Sequence, residues 1–232
     1  MKTKTKFFKG MADGIPIGLG YLSVSFGFGI MAVGAGLSPF EAFVISLTNL
    51  TSAGQAQGVS VIASGGTLAE MALVQLVINI RYALMGLSLS QKLDKRFTPI
   101  HRFFSAYGIT DEIFAVCSSQ KEPLMPDYMY GVIAVSAFGW TTGTFLGAMA
   151  GELLPKSISS ALGIVLYGMF IAIVVPAAKK EKSILTVSVI AALLAIVCKY
   201  LLTFISGGFA VIICAAAASL IGALLFPRKT NY

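Results

Sequence analysis

Arg81 sits inside a long apolar run, Val77-Ile-Asn-Ile-Arg-Tyr82. An arginine at the centre of a membrane helix costs about 2.5–3.5 kcal/mol on insertion scales, so it needs a partner or a purpose. A guanidinium can grip a carboxylate bidentately. Its other options are an internal ion pair with Glu70, Asp111 or Glu112, or snorkelling to an interface. Gln75 and Asn79 are four apart and share a helix face with Tyr82. Arg81 points away from that face on an unbroken helix. It therefore serves another surface, or the helix is distorted near Asn79. Gln75 and Asn79 suit either substrate contacts or interhelical hydrogen bonds.

The stretch from Ser46 to Ser60 is polar and glycine-punctuated. Asn49, Gln55 and Gln57 supply donors and acceptors around Gly54. Lipid does not tolerate bare polar backbone, so this stretch is buried in protein or lines a wet cavity. Broken membrane helices of this kind hold substrates in transporters, with half-helix N–H groups facing anions. The plainer alternative is a tightly packed kink. Asp111 and Glu112 follow Thr110 in a third polar patch. They are either first-turn acids of a Thr-capped helix or proton-carrying groups in low dielectric. Glu41, after Ser38-Pro39, reads as a helix-start acid.

These residues lie in a chain of 232 residues that is 56% hydrophobic and only 12% charged, too little charge for a soluble surface. Mean hydropathy is +0.85. The expected class is an all-α, polytopic inner-membrane bundle formed by a single membrane domain, residues 1–232. Eight apolar segments run Ile15–Gly36, Pro39–Ala63, Thr67–Ser90, Phe103–Ser118, Tyr128–Gly151, Ser157–Ala177, Ile184–Ile205 and Gly208–Phe226. The first exceeds a signal peptide's apolar core and reads as an uncleaved span.

The net charge of +7 does not indicate nucleic acid, because the cations sit at the ends of apolar runs. Eight crossings would leave ten loop cations inside and five outside. Letting the second and fourth segments return to their starting side gives fourteen and one. The positive-inside rule selects the second arrangement: six full spans, two broken or re-entrant segments, and both termini cytoplasmic. The fourth segment, about 16 residues, reaches only about 24 Å as a helix, short of a roughly 30 Å core. A two-half repeat, residues 11–118 and 126–228, is a further expectation. Gly139, Gly143, Gly147 and Gly151 form a four-residue ladder, with Gly14 and Gly18 a shorter one, suited to close packing inside the chain or with another subunit.

Cys117, Cys198 and Cys214 have no metal or disulfide spacing, and one histidine offers little acid–base chemistry. No enzymatic motif, metal site or cofactor is expected.

The chain resembles the AzlC family, the large subunit of branched-chain amino-acid exporters. The resemblance is carried by Gly14-Ile-Pro-Ile-Gly18, Phe26-Gly27, Gly34-Ala-Gly-Leu-Ser38, Ala53-Gly-Gln-Ala-Gln57, Asn79-Ile-Arg81 and Thr110-Asp-Glu-Ile-Phe114. It implies export of leucine, isoleucine or valine, coupling to the proton gradient, and a small hydrophobic AzlD-type partner. On that reading Arg81, Asn79, Gln75, Asn49, Gly54, Gln55 and Gln57 contact substrate, and Asp111 or Glu112 exchanges the proton. Two other readings remain: a passive small-solute channel, and a membrane scaffold built on the glycine ladders.

Overall fold

A computed structural model describes residues 3–153 and 174–227, with positions 155, 168 and 171. Its described elements are all helical: α1 Thr3–Gly34, α2 Pro39–Thr48, α3 Ser52–Ala63, α4 Leu68–Ser90, α5 Pro99–Tyr107, α6 Asp111–Ser118, α7 Pro126–Leu153, α8 Lys182–Tyr200 and α9 Gly207–Leu225. Among the described residues, α1, α4, α7, α8 and α9 are long and apolar enough to cross a membrane. They match five of the six expected spans. The sixth, Ser157–Ala177, lies outside the described residues except for positions 168, 171 and 174–177.

The helices fall into two compact units. The first holds the described parts of Met1–Ala56 and Asn79–Leu166, the second those of Gln57–Ile78 and Tyr167–Tyr232.

The axis of the first unit is a parallel pair, α1 and α7. Small residues recur every four positions on both helices, so one backbone lies in the groove of the other. Gly10 meets the Tyr128 backbone, Gly14 that of Val132, and Gly18 that of Gly139. Gly143 then lies on Leu22 and Gly147 on Phe26, while Gly151 approaches Ile30. A Cβ at Gly139, Gly143 or Gly147 would overlap α1 backbone atoms. The ladder is thus internal packing. Facing α1 and α7, Tyr21, Met129, Val132 and Trp140 form a buried core with Ile113 and Cys117 of α6.

Both short segments are broken. Ser38 and Glu41 cap α2 reciprocally, with Pro39 at its first turn. Asn49 leaves the helix in extended conformation (φ −140°, ψ 102°). Thr51 restarts the chain as α3, its Oγ1 accepting the Gly54 N–H at 3.0 Å. The break therefore spans Asn49–Thr51, and Gly54 lies inside the first turn of α3.

The fourth segment departs from the sequence expectation. It is not one helix from Phe103 but two half-helices, α5 beginning at Pro99, with a break at Gly108–Thr110. Charged and polar residues at His101 and Arg102 hid the earlier start. Thr110 caps α6 by accepting the Ile113 N–H at 3.3 Å. Its two ends return to one place. The Leu124 N–H donates to the Lys92 carbonyl (2.8 Å) and the Asp94 N–H to the Leu124 carbonyl (2.9 Å). The Lys92 ammonium donates to the carbonyls of Ser118 and Gln120. Lys6 of α1 pairs with Glu122 at 2.6 Å in the same region. Thus α5–α6 is a hairpin that leaves from and returns to the end at which α1 and α7 begin.

In the second unit α8 and α9 pack antiparallel, Val187 against Gly222 and Cys198 Sγ 3.6 Å from Cys214 Sγ. Glu70, 4% exposed, accepts from the Ser206 hydroxyl and from the Gly208 N–H at 3.1 Å, capping the start of α9.

Candidate functional site

Two breaks and the middle of α4 meet in the first unit. Helix α4 runs from Leu68 to Ser90 without interruption through Asn79 and Arg81. Side chains two positions apart on a helix diverge by about 200°. Asn79 Oδ1 accepts the Thr51 hydroxyl at 2.9 Å, at the first break. Arg81 pairs with Asp111 at 2.8 Å, at the second. Arg81 therefore serves another surface, without helix distortion. Of its three candidate counter-ions, Asp111 is the partner in this state, while Glu70 caps α9 in the second unit. The two side chains remain 44% and 40% exposed, so the pair is reachable. Arg81 also donates to the Tyr82 hydroxyl at 3.2 Å and lies over its ring.

Beside this pair, the Tyr21 hydroxyl lies 2.5 Å from a Glu112 carboxylate oxygen and 2.6 Å from Thr110 Oγ1. Tyrosine has one proton to give, so the chain has two settings. With Glu112 ionised, Thr110 donates to Tyr21 and Tyr21 to Glu112. With Glu112 protonated, Glu112 donates to Tyr21 and Tyr21 to Thr110. Glu112 keeps its hydrogen bond in either state.

The first break is held differently. Gln55, 1% exposed, donates to Ser46 Oγ (2.8 Å) and accepts the Trp140 indole N–H (2.8 Å). Ser46 bonds Thr144 at 2.7 Å. This buried network bolts α2 and the start of α3 to α7, and its polar atoms partner one another. Gln55 is therefore turned toward Trp140, with both ends of its side-chain amide engaged in this network. The Tyr21 ring meets the Trp140 ring edge-on at 5.2 Å, joining the network to the second break. The tips also touch: the Tyr107 hydroxyl donates to the Leu47 carbonyl at 2.7 Å, an acceptor in the last turn of α2.

Asn49, Gly54, Gln55, Asn79, Arg81, Asp111 and Glu112 all belong to this first unit. Gln57 and Gln75 belong to the second, where Gln75 approaches Met71 Sδ at 3.8 Å. Sequence reasoning missed Tyr21, Ser46, Tyr107, Trp140 and Thr144. The single tryptophan and the hydroxyls inside apolar helices were the available signals.

Among the described residues, no cluster of His, Cys, Asp and Glu could hold a metal ion. The site instead offers a fixed cation, a fixed anion and a two-way hydrogen-bond chain. That set suits a zwitterion and a proton.

A family model described as "AzlC protein" matches residues 16–154, which hold α2 to α7 whole and α1 from Pro16 onward. The chain is 28% identical to the inner membrane protein YgaZ of Escherichia coli K12, over 77% of this chain and 76% of that protein. It is 32% identical to an uncharacterized membrane protein of Archaeoglobus fulgidus, over 73% and 75%. No solved structure matches.

Proposed function

The chain belongs to the AzlC family of membrane proteins, and from that premise we propose that it is the large subunit of a secondary transporter exporting branched-chain amino acids. The observation that carries the reading is the Arg81–Asp111 ion pair, half exposed beside two helix breaks. An incoming amino acid presents both charges of that pair. Its carboxylate replaces Asp111 on Arg81, and its ammonium takes Asp111. The internal pair lets Arg81 and Asp111 neutralise each other between turnovers, so neither is left without a counter-charge. The apolar side chain of the substrate then decides preference by burial.

Proton coupling falls to Glu112, whose link to Tyr21 survives both protonation states. Asp111 is committed to Arg81 and is the weaker candidate. A small hydrophobic AzlD-type subunit completes the transporter. The inner membrane is the location, with the N-terminus cytoplasmic. The gathering of Lys6, Lys92 and the loop bearing Glu122 at one end of α1 and α7 supports that orientation.

The test is leucine, isoleucine and valine efflux from bacteria loaded with dipeptides, with and without the co-expressed small partner. Accelerated, saturable efflux that collapses with a protonophore is expected. Non-saturable flux indifferent to the gradient would favour a passive channel. No change, with the protein shown in the membrane, would overturn the substrate.

A further inference from the structure

The two broken segments share one pattern. Ser38-Pro39 opens α2 and Thr98-Pro99 opens α5, each with the hydroxyl residue at the N-cap and proline in the first turn. The half-helices that follow have 10 and 9 residues. Each gives way to a break, Asn49–Thr51 and Gly108–Thr110, that ends on threonine. That threonine caps the next half-helix by accepting the N–H three residues on. A long helix precedes each, α1 in one case and α4 in the other.

The copies are opposed in direction. Helix α1 starts where α5–α6 begins and ends, and it finishes at the far end, where α2 starts. From Asn79 and Arg81, level with the breaks, α4 runs back to Ser90 and Lys92 at the starting end. Phe43 of α2 packs on Phe145, late in α7, while His101 of α5 bonds Tyr130, early in α7. The two half-helices therefore approach from opposite ends and meet where Tyr107 touches Leu47. The long helices also cross over. Thr51 of the first copy is held by Asn79 of α4, and Thr110 of the second by Tyr21 of α1.

We infer that α1–α2–Thr51 and α4–α5–Thr110 are inverted copies of one motif, and that the Tyr107–Leu47 tip contact between them is a gate over the Arg81–Asp111 site. Inverted copies give a physical route to alternating access, because exchanging their conformations moves the opening from one face to the other. The copies are unequal at present. The first is bolted to α7 through Ser46, Gln55 and Trp140, all buried. The second has Ile113 and Cys117 of α6 in the core and Thr110 on Tyr21, and is otherwise held by the half-exposed Arg81–Asp111 pair and the Lys6–Glu122 pair. Of the α5–α6 hairpin, α5, with Ile100, Phe103 and Phe104 exposed, is the half assigned to move. The gate assignment rests on the transporter reading; the inversion does not.

The test uses a chain with Cys117, Cys198 and Cys214 replaced by alanine. Single cysteines replace exposed Thr5, Phe40, Lys95 and Lys121, and an impermeant maleimide is applied to each face. Thr5→Cys, Lys95→Cys and Lys121→Cys must react from one face and Phe40→Cys from the other. Labelling of Lys95→Cys and Lys121→Cys from different faces, or of Phe40→Cys with Thr5→Cys, overturns the inversion.

For the gate, spin labels at Val44→Cys and Phe104→Cys report the tip separation in nanodiscs. Two distances are expected, with a ratio that shifts in Tyr107→Phe, which lacks the tip hydrogen bond. One distance unchanged by Tyr107→Phe overturns the gate. If leucine fails to shift a ratio that Tyr107→Phe does shift, the substrate reading falls and the gate stands.

Discussion

Asn79 and Arg81, two residues apart on one unbroken helix, reach two different helix breaks. Asn79 accepts from Thr51 at 2.9 Å and Arg81 pairs with Asp111 at 2.8 Å. A helix rotates about 100° per residue, so neighbours at this spacing face nearly opposite ways. The middle of α4 is therefore wedged between the α2–α3 and α5–α6 breaks.

Replacing Arg81 with Gln removes the fixed cation and frees Asp111. Export is expected to fall below a tenth of wild type, with protein level and membrane insertion preserved. Normal efflux from Arg81→Gln cells, with the protein quantified by immunoblot, would remove Arg81 from the substrate path.

Tyr21→Phe keeps the ring that meets Trp140 and deletes the hydroxyl between Thr110 and Glu112. The fold should survive, while proton-driven efflux drops at least tenfold. Efflux driven by the leucine gradient alone should change little. Equal loss in both assays would assign Tyr21 to substrate binding rather than to the proton.

Trp140→Phe leaves the buried Gln55 Oε1 without its indole donor. An orphaned buried acceptor costs about 1–3 kcal/mol. The melting temperature in detergent should drop accordingly, whereas Trp140→Phe combined with Gln55→Leu, which removes both partners, recovers part of the loss. Additive losses in that double variant would dissolve the network.

The glycine ladder predicts a graded series. Gly147→Ala drives a Cβ into the Phe26 backbone, so α1 and α7 must separate and the protein should melt far earlier or fail to accumulate. Gly151→Ala meets the Ile30 Cα at 3.3 Å and should be mildly destabilising. Gly20 faces nothing within 4 Å. There alanine should help slightly, by about 0.5–1 kcal/mol, because glycine is costly inside a helix.

The Lys6–Glu122 pair sets a small acid-side dependence. The Lys6 hydrogen bond and charge hold the Glu122 carboxyl below the ordinary carboxylate range. A lowered folded-state pKa stabilises above the unfolded value and is lost as pH falls through the folded one. The Glu122 side chain is 74% exposed, so the effect is screened. Glu122→Gln should leave melting at pH 7 almost unchanged and flatten the decline at acid pH. A large loss at pH 7 would mean that the pair anchors the start of α1.

The sequence by itself determined the class, because apolar runs of this length can only be membrane helices. It also marked where polar groups need partners, since an arginine inside an apolar run, a polar break and paired acids are each costly enough to be visible in composition. Glu41 as a helix-start acid and the close-packing glycines follow from local rules, and the helices carry them out. Partnership was a different matter. Arg81 had three candidate carboxylates within plausible reach, and only the placement of α6 beside α4 gave it Asp111. Tyr21, Ser46, Trp140 and Thr144 look like ordinary residues of apolar spans. They join the site because α1 and α7 pack closely enough, glycine against backbone, to bring both breaks to one level. The Pro99 start of α5 was hidden because His101 and Arg102 interrupt hydropathy, and the return of α6 to Lys92 is a long-range hydrogen-bonding fact that no local pattern encodes. Local free-energy costs are written along the chain; which groups meet to offset them is decided only when the helices pack.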